Sequence, residues 1–578
     1  MAVVTGGEVI VKCLVKEGVK RIFGITDAGY HPVMGATVDH GIRWVPPRHE
    51  AAAVHMAEGV YKSSGEIPVA MAGYGPGTAN MVSGLICARE EGVPVVAISS
   101  QARTPIVYPF VSGAFQAVNQ YDIMKPVVKW NAVVHQWNRI PEIIQRAFRE
   151  AMAGRPGPVH VDIPYDIIFE EADDADLKYL EPYQYRPMVM EPPAVQIEEA
   201  AKLIAEADNP MLIAGTGVIN SGGWEEFQEM VELLNCPASS TMAARSAFNN
   251  DHSNYLMGLG EGSLTARKEA DVVLAVGTRL GNLDLPYDIY FGDIDKQKLI
   301  QVDIDPRNVG TNRPISMGIV ADARATLQAL LGRLKELGIK PADGTAVKKY
   351  KDIEAEQFAV LEAAPKNYEG DRVHPATSIE TAAKVFGPGA INVGDGGNTS
   401  LFNALYMRFV NPRTSLGIFE FGHLGTGIPY AIGAKLANPD KDVYVITGDG
   451  AAGFNFMEMA TAAREKVKIT VIVHAEEHWC MEEIEQMVYF EGDASKIISC
   501  QQQPIRWDKT AESFGCYGEY VDKAEDLVEA FERAKNHELP AVVCVKTDLA
   551  SNLIPPLAEK LMEVYEGPPA EEEAAAVE

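Results

Sequence analysis

The chain has 578 residues, 47% of them hydrophobic, enough to bury several cores, and about three domains is the natural expectation at this length. Its 80 acidic residues against 51 basic ones leave a formal net charge of −29, which argues against nucleic acid or an anionic membrane as an electrostatic partner. Seven cysteines (Cys13, Cys87, Cys236, Cys480, Cys500, Cys516 and Cys544) are scattered without a C-x-x-C pair, so reduced thiols are expected rather than a disulfide framework or a zinc site.

The N-terminus shows no basic and apolar leader pattern, and no apolar run is long enough to span a bilayer, so the expected location is cytoplasmic. Glu8 to Gly24 reads as an amphipathic helix and a short strand. The loop Ile25 to Pro32 follows, where the first strand of an α/β unit opens toward a ligand. Trp44 to Glu50 ends another strand and starts a helix running from Ala51 to Lys62. A carboxylate at a helix start is electrostatically favourable, so Glu50 has a plain capping reading.

The acidic, proline-bearing stretch Glu170 to Pro193 reads as a linker. A second α/β unit begins near Ile197, with strands over Pro210 to Ala214, Val272 to Val276 and Leu299 to Ile304. Its Gly215-Thr216-Gly217 hints at a dinucleotide turn, but Asn220 stands where the third Rossmann glycine would be. Lys335 to Asp371 is polar and reads as a second, partly helical linker.

The third unit begins near Pro375. Its strand Ala390 to Val393 runs into Gly394-Asp395-Gly396-Gly397-Asn398-Thr399-Ser400, readable as a phosphate cradle or as an ordinary turn. Phe421 to Pro429 is another glycine-rich stretch, ahead of a helix over Tyr430 to Ala437. Then Val443 to Thr447 leads into Gly448-Asp449-Gly450 and a helical pattern containing Glu458. Gly-Asp-Gly at the carboxyl end of a buried strand offers unpaired N–H groups and a hard oxygen ligand, the chemistry that a magnesium diphosphate needs. The run Lys468 to Val473 leads on to Glu476, 27 residues after Asp449, an interval that accommodates a helix and a neighbouring strand. His474 to His478 also matches H-x-x-E-H, the inverted zinc-protease signature. That motif needs both histidines on one helix face, and here the segment starts as a strand end.

The string from Asp449 to Trp479 resembles the thiamin-diphosphate (ThDP) motif. Arg48-His49-Glu50 and the residues after it resemble the segment that carries the activating glutamate in the acetolactate synthase and pyruvate decarboxylase superfamily. Further matches follow in the family's order: Gly75 to Asn80, Val93 to Val96 with Gln101, Ala114-Phe115-Gln116, and Gly157 to Pro164. The resemblance covers the chain to about Pro556. It departs from the family where Ala475 and Glu476 replace a usual pair of asparagines.

The resemblance implies an α/β fold of three doubly wound parallel-sheet domains: pyrimidine-binding over 1–170, middle over 190–335 and diphosphate-binding over 370–556, with an acidic tail over 557–578. It implies ThDP and Mg²⁺ as cofactors, while no feature of the sequence demands FAD. Asp449, Glu476 and the His478 backbone carbonyl would hold the metal. Gly448, Gly450, Ala451 and Trp479 would join them around the diphosphate, with Asp395, Gly396, Gly397 and Asn398 from the neighbouring turn. The Gly422 carbonyl would accept from the pyrimidine amino group, His423 would lie beside it, and Leu424 would wedge the cofactor into its bend. Glu50, with Pro76 and Asn80 nearby, would share a proton with a pyrimidine ring nitrogen.

The catalytic candidates are therefore Glu50, Gln116 and His31. Gln116 favours acetolactate-synthase-like carboligases over simple decarboxylases, and His31 is a candidate polar substrate contact. The implied reaction is C–C bond cleavage and formation on 2-oxo acids or 2-hydroxy ketones, with the thiazolium as electron sink. Lyase or hydrolase action on a diketone is one alternative; a catalytically silent ThDP-fold binding protein is another. In the resembled family the first and third units meet across subunits, which implies a homodimer or tetramer acting on small carbonyl compounds.

Overall fold

Three six-stranded parallel sheets set the frame of the computed structural model, which describes residues 3–175, 177–186, 188–281 and 290–553. The acidic tail over 557–578 lies outside the described residues. The first unit carries β1 (Val3–Thr5), β2 (Arg21–Gly24), β3 (Arg43–Val45), β4 (Val69–Ala72), β5 (Val96–Gln101), β6 (Trp130–Val133), β7 (Val159–Pro164) and β8 (Glu171–Asp173). Its sheet runs β3-β2-β4-β5-β7-β6. Strands β4, β5 and β7 are buried along their whole length; β4 is wholly apolar, while β5 and β7 bury polar side chains such as Gln101, His160 and Asp162 within the sheet. The first linker starts as β8, which pairs antiparallel with β1 and ties the connection back onto this unit.

The middle unit carries β9 (Pro210–Ala214), β10 (Ala238–Ser240), β11 (Tyr255–Leu256), β12 (Val272–Val276), β13 (Lys298–Asp303) and β14 (Met317–Val320). Their order, β11-β10-β9-β12-β13-β14, is the 3-2-1-4-5-6 arrangement of a dinucleotide-type sheet, although the glycine fingerprint is incomplete. The second linker is largely one helix, Thr345–Lys366, which packs against the helix Glu261–Glu269 and buries Tyr350 and Glu354.

The last unit carries β15 (Ile391–Asp395), β16 (Ser415–Leu416), β17 (Val443–Gly448), β18 (Thr470–His474), β19 (Tyr517–Val521) and β20 (Ala541–Val545). Its order, β16-β15-β17-β18-β20-β19, repeats that of the first sheet strand for strand. Both sheets reverse strand order between their first and third strands, β2 and β4 in one and β15 and β17 in the other. A crevice opens outside the carboxyl ends at such a point, so the loops after these four strands lie at ligand-binding edges.

The first and last units pack through helices α1 (Glu50–Ser64) and α3 (Gly427–Ala437), with α2 (Val82–Glu90) behind α1. A Cβ on Gly59 would stand 2.2 Å from the Tyr430 carbonyl oxygen, and one on Gly433 would stand 1.9 Å from that of Met56. Only glycine permits this backbone approach, and one apolar core runs through both units as a result. All seven cysteines are free and buried. Among the described residues no helix is long and apolar enough to cross a membrane.

Candidate active site

β17 ends at Gly448, and α4 (Asp449–Asn455) begins at once. Asp449 is buried; its Oδ1 accepts the Gly450 N–H at 2.8 Å and its Oδ2 accepts the Glu477 N–H at 2.7 Å. The neighbouring β18 ends at His474, opposite Gly448, which brings Glu476 to the same edge. Glu476 is also buried, and its Oε1 accepts from the Thr547 hydroxyl at 2.8 Å and the Asn552 amide at 2.7 Å. Burial pushes both carboxyls up, and the Asp449 charge pushes Glu476 further.

Two adjacent buried carboxylates are costly unless a cation joins them. The Lys546 ammonium nearby is already paired with Glu477 at 2.7 Å. This hard-oxygen donor set suits Mg²⁺, so the residues present fit the metal. Glu477 takes a left-handed conformation, φ 65°, as the chain turns past the site. The His478 side chain points to Glu483 at 2.5 Å, and buried His474 bonds Ser378 at 2.9 Å. Residues 475–479 are not helical, so H-x-x-E-H does not form the zinc pair of an inverted protease.

The glycines around Asp449 are sites of contact. A Cβ on Gly450 would stand 2.6 Å from the Trp479 ring, and one on Gly397 would stand 3.2 Å from Met481 Cβ. Gly396, at φ 108°, lies against the Gly448 nitrogen and buried Ala451. The turns after β15 and β17 thus abut, flanked by Trp479 and by Met481 of α6 (Cys480–Tyr489), which α5 (Glu458–Glu465) precedes in the chain. Asn398 donates to the Asn552 carbonyl at 2.7 Å, so Asn552 joins the β15 turn to Glu476.

Asp395 uses its buried carboxylate inside the protein: Oδ1 accepts from the Gly425 N–H at 3.1 Å and Oδ2 from the Gly427 N–H at 2.9 Å. It therefore anchors the loop that carries Gly422, His423 and Leu424. Gly422 has φ 64° and open space around its Cα, while Leu424 is half-buried. The His423 Nδ1–H donates to the Leu424 carbonyl at 2.8 Å, since an oxygen there only accepts.

At the edge of the first sheet, Glu50 opens α1 and accepts from the Asn80 amide at 2.9 Å. Its Oε1 faces Gly77 in the short helix Pro76–Asn80, which starts at Pro76. Buried Glu458 of the last unit accepts the Arg48 N–H at 2.9 Å, so the entry to α1 is capped from across the two units. Gly75, at φ 68°, lets its Cα approach the Gln116 carbonyl; Gln116 is exposed and itself left-handed, φ 57°. His31 is exposed at the start of the helix His31–Asp39. Among the described residues no hydrogen bond within one chain joins Glu50 to the turns after β15 and β17.

Three further residues of these edges carry no motif. Thr547 and Asn552 hold Glu476, yet they follow β20, and only the placement of β20 beside β18 brings them there. Asp27, at the end of the loop after β2, accepts the Gly29 N–H at 2.7 Å and lies against Gly73. A separate cavity of about 390 Å³ opens at the middle sheet, lined in part by Thr216, Gly217, Thr278, Arg279 and Glu420.

Two glycine-lined, acid-bearing sheet edges of identical topology, flanking a dinucleotide-type sheet, define a class. The chain matches in succession the models of the thiamine pyrophosphate enzyme N-terminal TPP binding domain (residues 4–123), central domain (197–330) and C-terminal TPP binding domain (395–545). It belongs to the thiamine pyrophosphate enzyme family and is a ThDP-dependent enzyme. Over nearly its whole length it is similar to acetolactate synthase large subunits. The probable one of Methanocaldococcus jannaschii is 31% identical over 566 residues, covering 95% of this chain and 93% of that one. The Corynebacterium glutamicum large subunit is 33% identical, with 93% and 86% covered. The isozyme 3 large subunit of Escherichia coli is 30% identical, with 96% and 97% covered.

Proposed function

We propose that the chain is an acetolactate-synthase-like carboligase that uses ThDP and Mg²⁺ to break and form C–C bonds between small carbonyl compounds. The observation that carries this reading is the pair of buried carboxylates, Asp449 and Glu476, at adjacent strand ends beside two glycine turns. They would hold the metal together with the His478 carbonyl, and Gly448, Gly450 and Ala451 would meet the diphosphate. The Gly396 and Gly397 amides would add N–H donors, while Asp395 and Asn398 would act by fixing their own turns. When bound, the cofactor supplies an electron sink for C–C cleavage. The Gly422 carbonyl would orient its amino group, Leu424 would hold its bend, and Glu50 would keep a proton at its ring nitrogen. Trp479 would shield the diphosphate turn, with Gln116 and His31 turned to substrate. This reaction has no net redox step, so its chemistry does not itself call on a flavin.

Glu50 and the Asp449 turn lie in different units, which meet across subunits in the resembled family, so the complete site would form between two copies. Exposed Phe115 (81%) on the first unit, with Phe454 (57%) and Tyr489 (81%) on the last, supports a covered interface there. A mass measurement in solution giving a cofactor-loaded monomer would rule this assembly out.

The test of function is uptake of ThDP with Mg²⁺ by calorimetry, followed by a screen of 2-oxo acids for CO₂ release with and without added aldehydes. Glu50→Gln should abolish turnover and leave the cofactor bound. No ThDP-dependent heat would favour a silent binding protein instead. One observation favours a second reading, lyase or hydrolase action on a neutral diketone. The Asp27 carboxylate lies against Gly73 at the sheet edge that would face substrate, where an anionic 2-oxo acid would meet like charge. The same screen, extended to diketones and 2-hydroxy ketones, separates the two.

A further inference from the structure

We propose that the Glu58–His55 pair on α1 is a positioning device for His423, holding that ring in one orientation beside the site of the cofactor's aminopyrimidine. The proposal rests on the functional reading above and deepens it.

His55 and Glu58 are fully buried where α1 meets the last unit. The His55 Nδ1 bonds Glu58 Oε2 at 2.8 Å, and since a carboxylate accepts, the proton is on Nδ1. Glu58 Oε1 accepts from the Cys87 thiol at 3.4 Å, and Cys87 lies 3.6 Å from the Tyr430 hydroxyl. His55 is thus clamped at one nitrogen, while its Nε2 is buried without a hydrogen-bond partner. A polar atom so placed is expensive unless it serves a neighbour.

The neighbouring ring is His423, with centroids 4.9 Å apart and planes tilted by 60°. His423 has committed its own Nδ1–H to the Leu424 carbonyl, so its neutral ring keeps Nε2 as an acceptor. Burial holds His423 below the usual imidazole range. The other groups facing this cluster are Asp395 behind the loop, Tyr430 on α3, Cys87 on α2 and the Lys62–Glu91 ion pair at 2.9 Å. An acceptor fixed between Gly422 and Leu424 would receive an N–H or O–H from cofactor or substrate, and protonating it would destroy that function.

His55, Glu58 and Cys87 also bring three ligand atoms within 4.8 Å of one another. The Glu58 carboxylate already bonds both His55 and Cys87, however, and burial, with Glu58 next, pushes the Cys87 thiol well above its usual range. A metal there would have to displace that network.

The experiment measures ThDP affinity with saturating Mg²⁺ by calorimetry across about pH 5 to 8 for the wild-type, His55→Gln and His423→Gln proteins. Acid weakening by the metal-binding carboxylates is common to all three, so the differences between the curves report on His423. Without the clamped ring beside it, His423 can turn away from the cofactor. The acid weakening that His423 adds in the wild type should therefore be lost in His55→Gln. In His423→Gln that extra weakening should vanish as well. If His55→Gln melts before it can be measured, Glu58→Gln, which removes the carboxylate that clamps His55, decides in its place. A His55→Gln curve superimposed on that of the wild type, with ThDP bound, would sink the positioning role only. Absence of ThDP binding in all three would sink the functional reading and this role together. A stoichiometric metal that is lost in His55→Gln would overturn the proposal in favour of a metal site.

Discussion

The backbone N–H of Glu477 donates to Asp449 Oδ2 at 2.7 Å, so the turn after β18 hangs on the aspartate that follows β17. One carboxylate therefore sets the spacing of both proposed metal ligands. Asp449→Ala should leave the Glu477 and Gly450 N–H groups without acceptors, at about 1–3 kcal/mol each where water cannot replace the aspartate. The expected outcome is a fall in melting temperature together with loss of ThDP–Mg²⁺ binding, read by thermal denaturation and calorimetry on the same sample.

Glu476→Gln separates charge from shape. A glutamine oxygen still accepts from Thr547 and Asn552, but the repulsion toward Asp449 disappears. The cofactor-free variant should be more stable than the wild type, while its Mg²⁺ affinity should fall by about tenfold as one anionic ligand is lost. A variant that loses stability and keeps its affinity would show that Glu476 is structural.

Gly450→Ala tests whether Trp479 closes the diphosphate turn. The added Cβ would stand 2.6 Å and 2.8 Å from two ring atoms of Trp479, and the indole is too rigid to yield by a rotamer change. A cost of about 1–3 kcal/mol is expected from the overpacking, with weakened ThDP binding. Combining it with Trp479→Ala should restore stability, and a double-mutant cycle without coupling would contradict the contact.

Gly433→Ala addresses the seam between the first and last units. Its Cβ would meet the Met56 carbonyl oxygen at 1.9 Å, backbone that cannot rotate away. The helices α1 and α3 must separate, and a loss of at least about 3 kcal/mol is expected. Limited proteolysis should then cut between the units in the variant before it cuts the wild type.

How far the sequence alone reaches is visible at these same residues. The apolar runs Val443 to Thr447 and Lys468 to Val473 foreshadow β17 and β18, because fully buried parallel strands need continuous apolar side chains. The glycine turns are legible because few residue types tolerate such approach. Asp395 is not: from its motif it reads as a cofactor contact, yet its carboxylate is consumed by the Gly425 and Gly427 amides, 30 and 32 residues away. Thr547, Asn552 and His55 are likewise hidden, since they reach the site through strand order and helix packing rather than local spacing. The second linker is legible as partly helical but not as one long helix, because Thr345–Lys366 buries only Val347, Tyr350, Glu354 and Leu361.

Asp162 gives a pH dependence remote from the proposed metal ligands. It lies at 1% exposure on β7, where its oxygens accept from Gln120 at 2.7 Å and Gln101 at 3.3 Å. Burial nonetheless dominates and pushes its carboxyl from 3.8 up to about 7. The folded state therefore holds this proton more tightly than the unfolded chain. The resulting stability is fully present below the unfolded value and is lost as pH rises toward about 7, at no more than about 1.4 kcal/mol per pH unit. Above that the contribution is flat. Asp162→Asn cannot titrate, so its melting temperature relative to the wild type should climb between about pH 5 and 7 and then level off. The asparagine has one acceptor oxygen for two amide donors, which sets a constant offset; the slope is the readout. Parallel melting curves for the two proteins across that range would mean that Asp162 stays ionised in the folded protein, with the two glutamines outweighing burial.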